Sequence, residues 1–561
     1  MNDSEGNPVC ITSWEIASLF LSAVIFSAWN SIATGNLRFS NLLFFLCLSL
    51  VCWLAGRLIS SFFSEALQKV RGYNLCFLVG FFCVNTLAYL LQFLLPFTLA
   101  ADMMLVGSAI GVLTVLKFRC RQIRICWFAD FKSSAPAFIA LILILLAASF
   151  WAQSSLFAVV DNGPEIIYKP WLDSYFHAHK INAFAASNGF NTISDMSMSG
   201  WPAKPYHYAS YIMPAGLCAF TMTTAYQSFC GFMVPLGLLL SGLSAFVLVQ
   251  SFWGASAGLA GCFALCLIPG PSQMGIHNNW FSYFWLQQIA PAGLYGVALI
   301  AVAWLFMFDG CKRGNVVSLG ISWMLALVAA NFKFHVFFAN AYLLFLFPTL
   351  FFRGASQKVK VFSFILLSGL SILVTAYSAF IPQMPLVRFD GSSFKTYTSL
   401  CISMFDSNVL RSAFSYASTI KFGLLTTILR VSLMGLMLFV CTFGLFGLFY
   451  LVLLRSLRGK ISLEVFVFPL LVIVNYLVMA LGLGYDTRGF SSPSPEELLH
   501  RPFVWAYFVV SAWVGGAVWN FYLLERFIAA GKMQKVVFLT GVSLLLLVPL
   551  YLGKNIQSGP Q

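Results

Sequence analysis

The chain of 561 residues is 60% apolar and only 9% charged, with a formal net charge of +14. This composition excludes an ordinary soluble domain, and no compact basic domain exists to carry nucleic acid, so no nucleic-acid partner is expected. Runs of about 20 uncharged residues recur throughout, each long enough to cross a hydrocarbon core about 30 Å thick. Lipid offers no hydrogen bonds, so such segments form helices. The expected fold class is all-α, a polytopic helical membrane protein.

In chain order, about fifteen spanning segments are predicted. They lie near 13–33, 41–61, 75–99, 101–117, 136–158, 228–250, 257–270, 282–308, 317–332, 334–352, 361–382, 423–454, 463–484, 503–525 and 535–552. Segments 257–270 and 317–332 are short enough to be broken or re-entrant helices. Residues 1–135 read as N-terminal transmembrane helices, and 136–382 as a core with a long loop at 159–227. Residues 383–561 read as C-terminal helices with loops at 383–422 and 485–502. The opening MNDSEGNPVCITSWE lacks the basic start of a cleavable signal peptide. The 14 cysteines are scattered singly without a metal-ligand pattern, as packing residues would be.

One choice of parity puts the compact basic loops on a single side. These loops include Arg57, Lys69 and Arg71, then Lys117 to Lys132, then Lys312 and Arg313. Arg353, Lys358 and Lys360 follow, then Arg455, Arg458 and Lys460, then Arg526, Lys532 and Lys535. The positive-inside bias makes that side cytoplasmic and sends the long loops outward, as expected for a multi-pass protein of the cytoplasmic membrane with an extracytoplasmic active face. All six histidines, His177, His179, His207, His277, His335 and His500, then fall on or near the outer face.

The first long loop holds WLDSYFHAHKINAFAASNG, a helix-forming stretch stopped at Asn188-Gly189. On a helix, Asp173, His177 and Lys180 share one face at i, i+4 and i+7. A carboxylate beside an imidazole suits a general base or a divalent-cation site, so Asp173 and His177 are candidate catalytic residues and candidate metal ligands. The alternative is a surface hydrogen bond without function. The apolar stretch at 206–225 is expected to lie in the membrane interface, because a full span there would reverse every later basic loop.

The layout, together with DSYFH at Asp173–His177 and KPYHY at Lys204–Tyr208, resembles the GT-C superfamily of polytopic glycosyltransferases. The resemblance covers the layout of most of the chain. It differs in that about five helices precede the loop here, where the superfamily places it after the first. It implies a GT-C-like core at 136–382, a lipid-linked sugar donor and a loop acid that activates the acceptor or helps hold a metal. That role falls to Asp173, with Asp161 and Glu165 as weaker substitutes, and Mg or Mn as candidate cofactor.

A lipid-phosphate donor calls for cations at the headgroup level. Lys333 and His335 in ANFKFHVFF, Arg388 in MPLVRFDG, and His500 and Arg501 in EELLHRPFVW are candidates for substrate binding, with Lys180 and His207. Each has a plain alternative: Lys333 snorkelling to the interface, Arg388 paired with Asp390. The expected function is transfer of a sugar from a polyprenyl-phosphate-type membrane lipid to an acceptor on the extracytoplasmic face. The alternatives are a transporter or flippase, and a non-catalytic subunit of envelope-polysaccharide assembly.

Overall fold

A computed structural model describes residues 9–60, 67, 72–118, 123–126, 131–161, 166–168, 172–193, 207–276, 282–380, 387–389, 399–405, 407–419, 423–485 and 501–555. The chain is built from helices. The first five are α1 (Ser13–Thr34), α2 (Phe39–Ser60), α3 (Tyr73–Leu94), α4 (Leu99–Phe118) and α5 (Phe131–Trp151). The long loop contributes α6 (Leu172–Ala185) and α7 (Ile212–Phe220), after which come α8 (Val234–Trp253) and α9 (Ala255–Leu267). Next are α10 (Tyr283–Ile289), α11 (Ala292–Arg313), α12 (Val316–Phe332), α13 (Phe334–Phe351) and α14 (Gln357–Phe380). The chain closes with α15 (Gly423–Ser456), α16 (Leu463–Gly482), α17 (Phe503–Val518) and α18 (Lys532–Leu544). Strand pairing is confined to three two-stranded pieces among the described residues.

Twelve helices among the described residues are long and apolar enough to cross a membrane, which makes this a multi-pass membrane protein. Their outer faces carry large apolar side chains in the open, such as Val115 at 65% and Val452 at 65% exposure, as surfaces that meet lipid do. At the centre stand α8 and α11, buried on every side. Helices that are apolar all round belong in such a core. Trp304 on α11 donates to Asn340 on α13 at 2.8 Å, joining the centre to its neighbour.

Polar and small residues set the close contacts. Thr12 caps α1 in a reciprocal box with Glu15, whose carboxylate also meets buried Arg57 of α2 at 3.5 Å. Helices α2 and α3 cross backbone to backbone: a Cβ on Gly56 would fall 1.8 Å from the Cys76 carbonyl oxygen, and one on Gly80 only 1.6 Å from that of Cys52.

Three expected spans fall outside the twelve, and two further expectations change. Segments 257–270 and 317–332 appear as α9, of 13 residues, and α12, of 17 residues. Segment 361–382 overlaps α14, which is outside the twelve. Segment 282–308 is not one span: the helix stops at Ile289 and restarts at Ala292, because Pro291 cannot donate its nitrogen to the preceding turn. The stretch 206–225 does not lie flat along a surface. Its helix, α7, is nine residues long, and Ile212 to Leu217 are buried against other helices.

Candidate functional site

Loop helix α6 turns Ser174, His177, Lys180 and Ile181 inward and leaves Asp173, Tyr175 and His179 exposed. The shared face of Asp173 and His177 is therefore covered only from its second turn onward. His177 does not bond Asp173. Its Nε2 lies 2.9 Å from the Ile289 carbonyl, which can only accept, so Nε2 carries the proton. Nδ1 accepts from the Tyr211 hydroxyl at 2.7 Å. Burial, then the charge of Lys333, pushes the imidazole down to about 3. Its ring is neutral, with both nitrogens engaged. An Asp173–His177 metal pair does not fit these contacts, and among the described residues no three His, Cys, Asp or Glu side chains gather as ligands.

The basic residues do converge. The Lys333 ammonium, buried at the junction of α12 and α13, donates to His207 Nε2 at 3.5 Å. Burial lowers the affinity of His207 for a proton far below its usual range, and Lys333, His335, Arg501 and His177 push it the same way. Lys180 and Arg501 act likewise on His177. The Lys180 ammonium sits 4.4 Å over the Phe176 ring and 4.6 Å over the Tyr208 ring, which offsets part of its desolvation. Cationic and imidazole groups from α6, from the chain at 207, from the α12–α13 junction and from the start of α17 thus crowd one place.

Lys333, His335 and Arg501 of this group border a narrow cleft. The break between α10 and α11 supplies Gln287, Ala290 and Gly293; the start of α13 supplies Lys333, His335 and Val336; the start of α17 supplies Arg501 and Val504. Three helices, α11, α13 and α17, therefore begin at this cleft with the positive ends of their dipoles toward it. No carboxylate lines it among the described residues. The open space is about 10 Å³, roughly the room of one water.

Gln287, which sequence reasoning missed, lines the cleft at 1% exposure with neither Nε2 nor Oε1 bonded. A buried amide left so costs about 1–3 kcal/mol, and nothing in the packing of α10 requires one. A Cβ on Gly293 would stand 2.8 Å from the Gln287 Oε1, so only glycine leaves the amide its place. The sequence signal was an uncharged polar pair, Gln287-Gln288, followed by Pro291 within an apolar run. The other half of that pair has a structural use: Gln288 donates to the Trp151 carbonyl at 2.6 Å.

Of the remaining expected residues, Arg388 lies on a short strand (Val387–Phe389) opposite Gly484. Its side chain, and His500 and His277, lie outside the described residues. Asp161 ends a short strand (Val159–Asp161), and Glu165 is outside the described residues. Comparison of the chain with family models, with curated proteins and with solved structures gives no match, so the chemistry of the cleft rests on its own residues.

Proposed function

We propose that the protein is a membrane enzyme that holds the phosphate of a polyprenyl-phosphate-type lipid-linked sugar at the cleft. It transfers the sugar to an acceptor on the extracytoplasmic face of the cytoplasmic membrane. The observation that carries this reading is the convergence of Lys333 and Arg501 with three helix N-termini on the unpartnered amide of Gln287. Donors gathered around one cleft, with no carboxylate among the described lining residues, favour a compact anion. The GT-C resemblance supplies the group transferred.

In such a reaction an acceptor oxygen attacks the anomeric carbon, and the bond from that carbon to the phosphate oxygen breaks. The acceptor proton passes to a base, for which the exposed carboxylate of Asp173 is the candidate. Negative charge grows on the departing lipid phosphate, where Lys333 and Arg501 stabilise it. His177 orients the site without exchanging a proton. A phosphate is larger than the present opening, so binding displaces a lining side chain; half-buried Arg501 has the freest path.

The test is transfer from a labelled lipid-linked sugar by the purified full chain, with donor binding measured separately. Lys333→Ala is expected to weaken donor binding by about tenfold or more. Asp173→Asn is expected to lower transfer while leaving donor binding intact. Unchanged binding in a Lys333→Ala/Arg501→Ala double variant overturns the phosphate site. Undiminished transfer by Asp173→Asn removes that residue as the base.

A further inference from the structure

The helices that begin at the cleft end at a second, much larger cavity. It lies about 30 Å away along α11, given 22 residues at 1.5 Å each. This chamber holds about 610 Å³ and is bordered by Lys312 and Arg313 at the end of α11, Arg353 just past α13, and Lys460 just before α16. Two acids, Asp309 and Glu464, join them. Asp309 is already committed: it pairs with Arg313 at 3.1 Å and accepts from Ser318 at 2.8 Å. The side chains of Lys312, Arg353 and Lys460 have neither a hydrogen bond nor an ion pair among the described residues, and all three are exposed. The backbone N–H of Arg353 donates to the Cys311 carbonyl at 3.0 Å, which pins that arginine beside the end of α11.

The walls are of a different kind. Phe252, Trp253, Phe308 and Phe521 face the same space. Cations at helix ends have an ordinary reason to be there, since Lys312 complements the negative end of α11 and basic loops set sidedness. Neither reason gathers four cations from three separate segments around one chamber with an aromatic wall. A ligand that uses both halves carries a phosphate next to apolar chains.

We propose that this chamber binds the headgroup of an anionic phospholipid, taken from the leaflet opposite the cleft. The phosphodiester meets Arg353, Lys460 and Lys312, and the first carbons of the acyl chains lie against Trp253, Phe252 and Phe308. Three unpaired cations against one uncommitted carboxylate, Glu464, favour a net negative headgroup over a zwitterionic one. The aromatic wall favours a lipid over free phosphate, which would leave that wall unused. The proposal stands apart from the reading of the cleft, since it invokes none of its residues.

The test uses the purified full chain in mild detergent, with bound lipid counted by native mass spectrometry and the thermal midpoint followed in parallel. Dioleoylphosphatidylglycerol, dioleoylphosphatidylcholine and inorganic phosphate are titrated separately. The anionic lipid is expected to bind and raise the midpoint, while the other two do so weakly or not at all. Arg353→Ala/Lys460→Ala is expected to lose about tenfold or more in affinity for it. Arg353→Lys/Lys460→Arg is expected to keep binding within about twofold, which separates charge from damage to the fold. Arg526→Ala/Lys532→Ala, exposed on another basic segment, serves as the control with affinity unchanged. Equal affinity of the Arg353→Ala/Lys460→Ala variant and the parent overturns the proposal. So does equal binding of the zwitterionic lipid, or inorganic phosphate acting as strongly as the anionic lipid.

Discussion

The cleft and the chamber stand at opposite ends of α11, α13 and α17, yet one offers about 10 Å³ and the other about 610 Å³. At the narrow end Lys333, Lys180 and His207 are buried at 4%, 9% and 8% exposure, and an amide goes without partners. Burying a cation is costly, and it is tolerable where hydrogen-bond partners and aromatic rings compensate. At the wide end the cations remain hydrated, and their presence costs little. The same kind of residue therefore does two jobs. On the proposed readings, the desolvated set makes a demanding and selective anion site, and the hydrated set a permissive one that responds to net charge.

The largest expected break in this contrast is charge reversal. Lys333→Glu sets an acid among buried basic groups and is expected to cut binding of a phosphate-bearing lipid by about a hundredfold or more. Arg353→Glu, at the hydrated end, is expected to change lipid binding there by only about tenfold. Titration of each variant with both lipids reads the difference, and equal losses would erase the contrast.

Acid is the second lever. His177 is held neutral down to about pH 3, and His207 is shifted the same way, whereas an unfolded histidine protonates near 6.5. Between those values the unfolded chain binds more protons, so stability is full above pH 6.5 and falls as pH drops toward 3. The slope is about 1.4 kcal/mol per pH unit for His177, and His207 adds to it in the same direction. Thermal midpoints from pH 7.5 to 5 should fall in the parent and flatten in His177→Gln and His207→Gln. A flat parent profile would mean that the narrow end is wetter than its burial indicates.

A smaller effect has opposite signs in two assays. Gln287→Leu removes an unpartnered buried amide, so the unliganded protein should gain about 1 kcal/mol while phosphate-lipid binding weakens about tenfold. Loss of stability in that variant would mean the amide already has its partner. The smallest change is Gly293→Ala, which crowds the Gln287 Oε1 and should lower donor affinity by a few-fold with little effect at the chamber.

Much of this architecture was legible from the chain. Apolar runs gave most of the long helices, and the isolated cations Lys333 and Arg501 were conspicuous against lipid-compatible surroundings. Their meeting was not legible, because some 170 residues separate them and only the packing of the whole bundle brings the starts of α13 and α17 to one cleft. The Asp173–His177 pair misled for a related reason. Helical spacing fixes a common face but not how far neighbouring elements cover it, and here the cover ends between the two residues. The break before α11 lay within a largely apolar run, marked only by the polar pair Gln287-Gln288 and Pro291. Gln287 then looked like a tolerated polar residue within a span.

The imidazole of His177 works as a clasp. On one side it takes the hydroxyl of Tyr211, and on the other it closes the last free carbonyl of α10, the short helix that carries Gln287 two residues earlier. Helix α10 has only seven residues, too few to hold its own geometry, so its alignment is borrowed from a loop outside the spans. Whatever presses on that loop, an acceptor docking at its exposed face included, is transmitted through one ring to the amide inside.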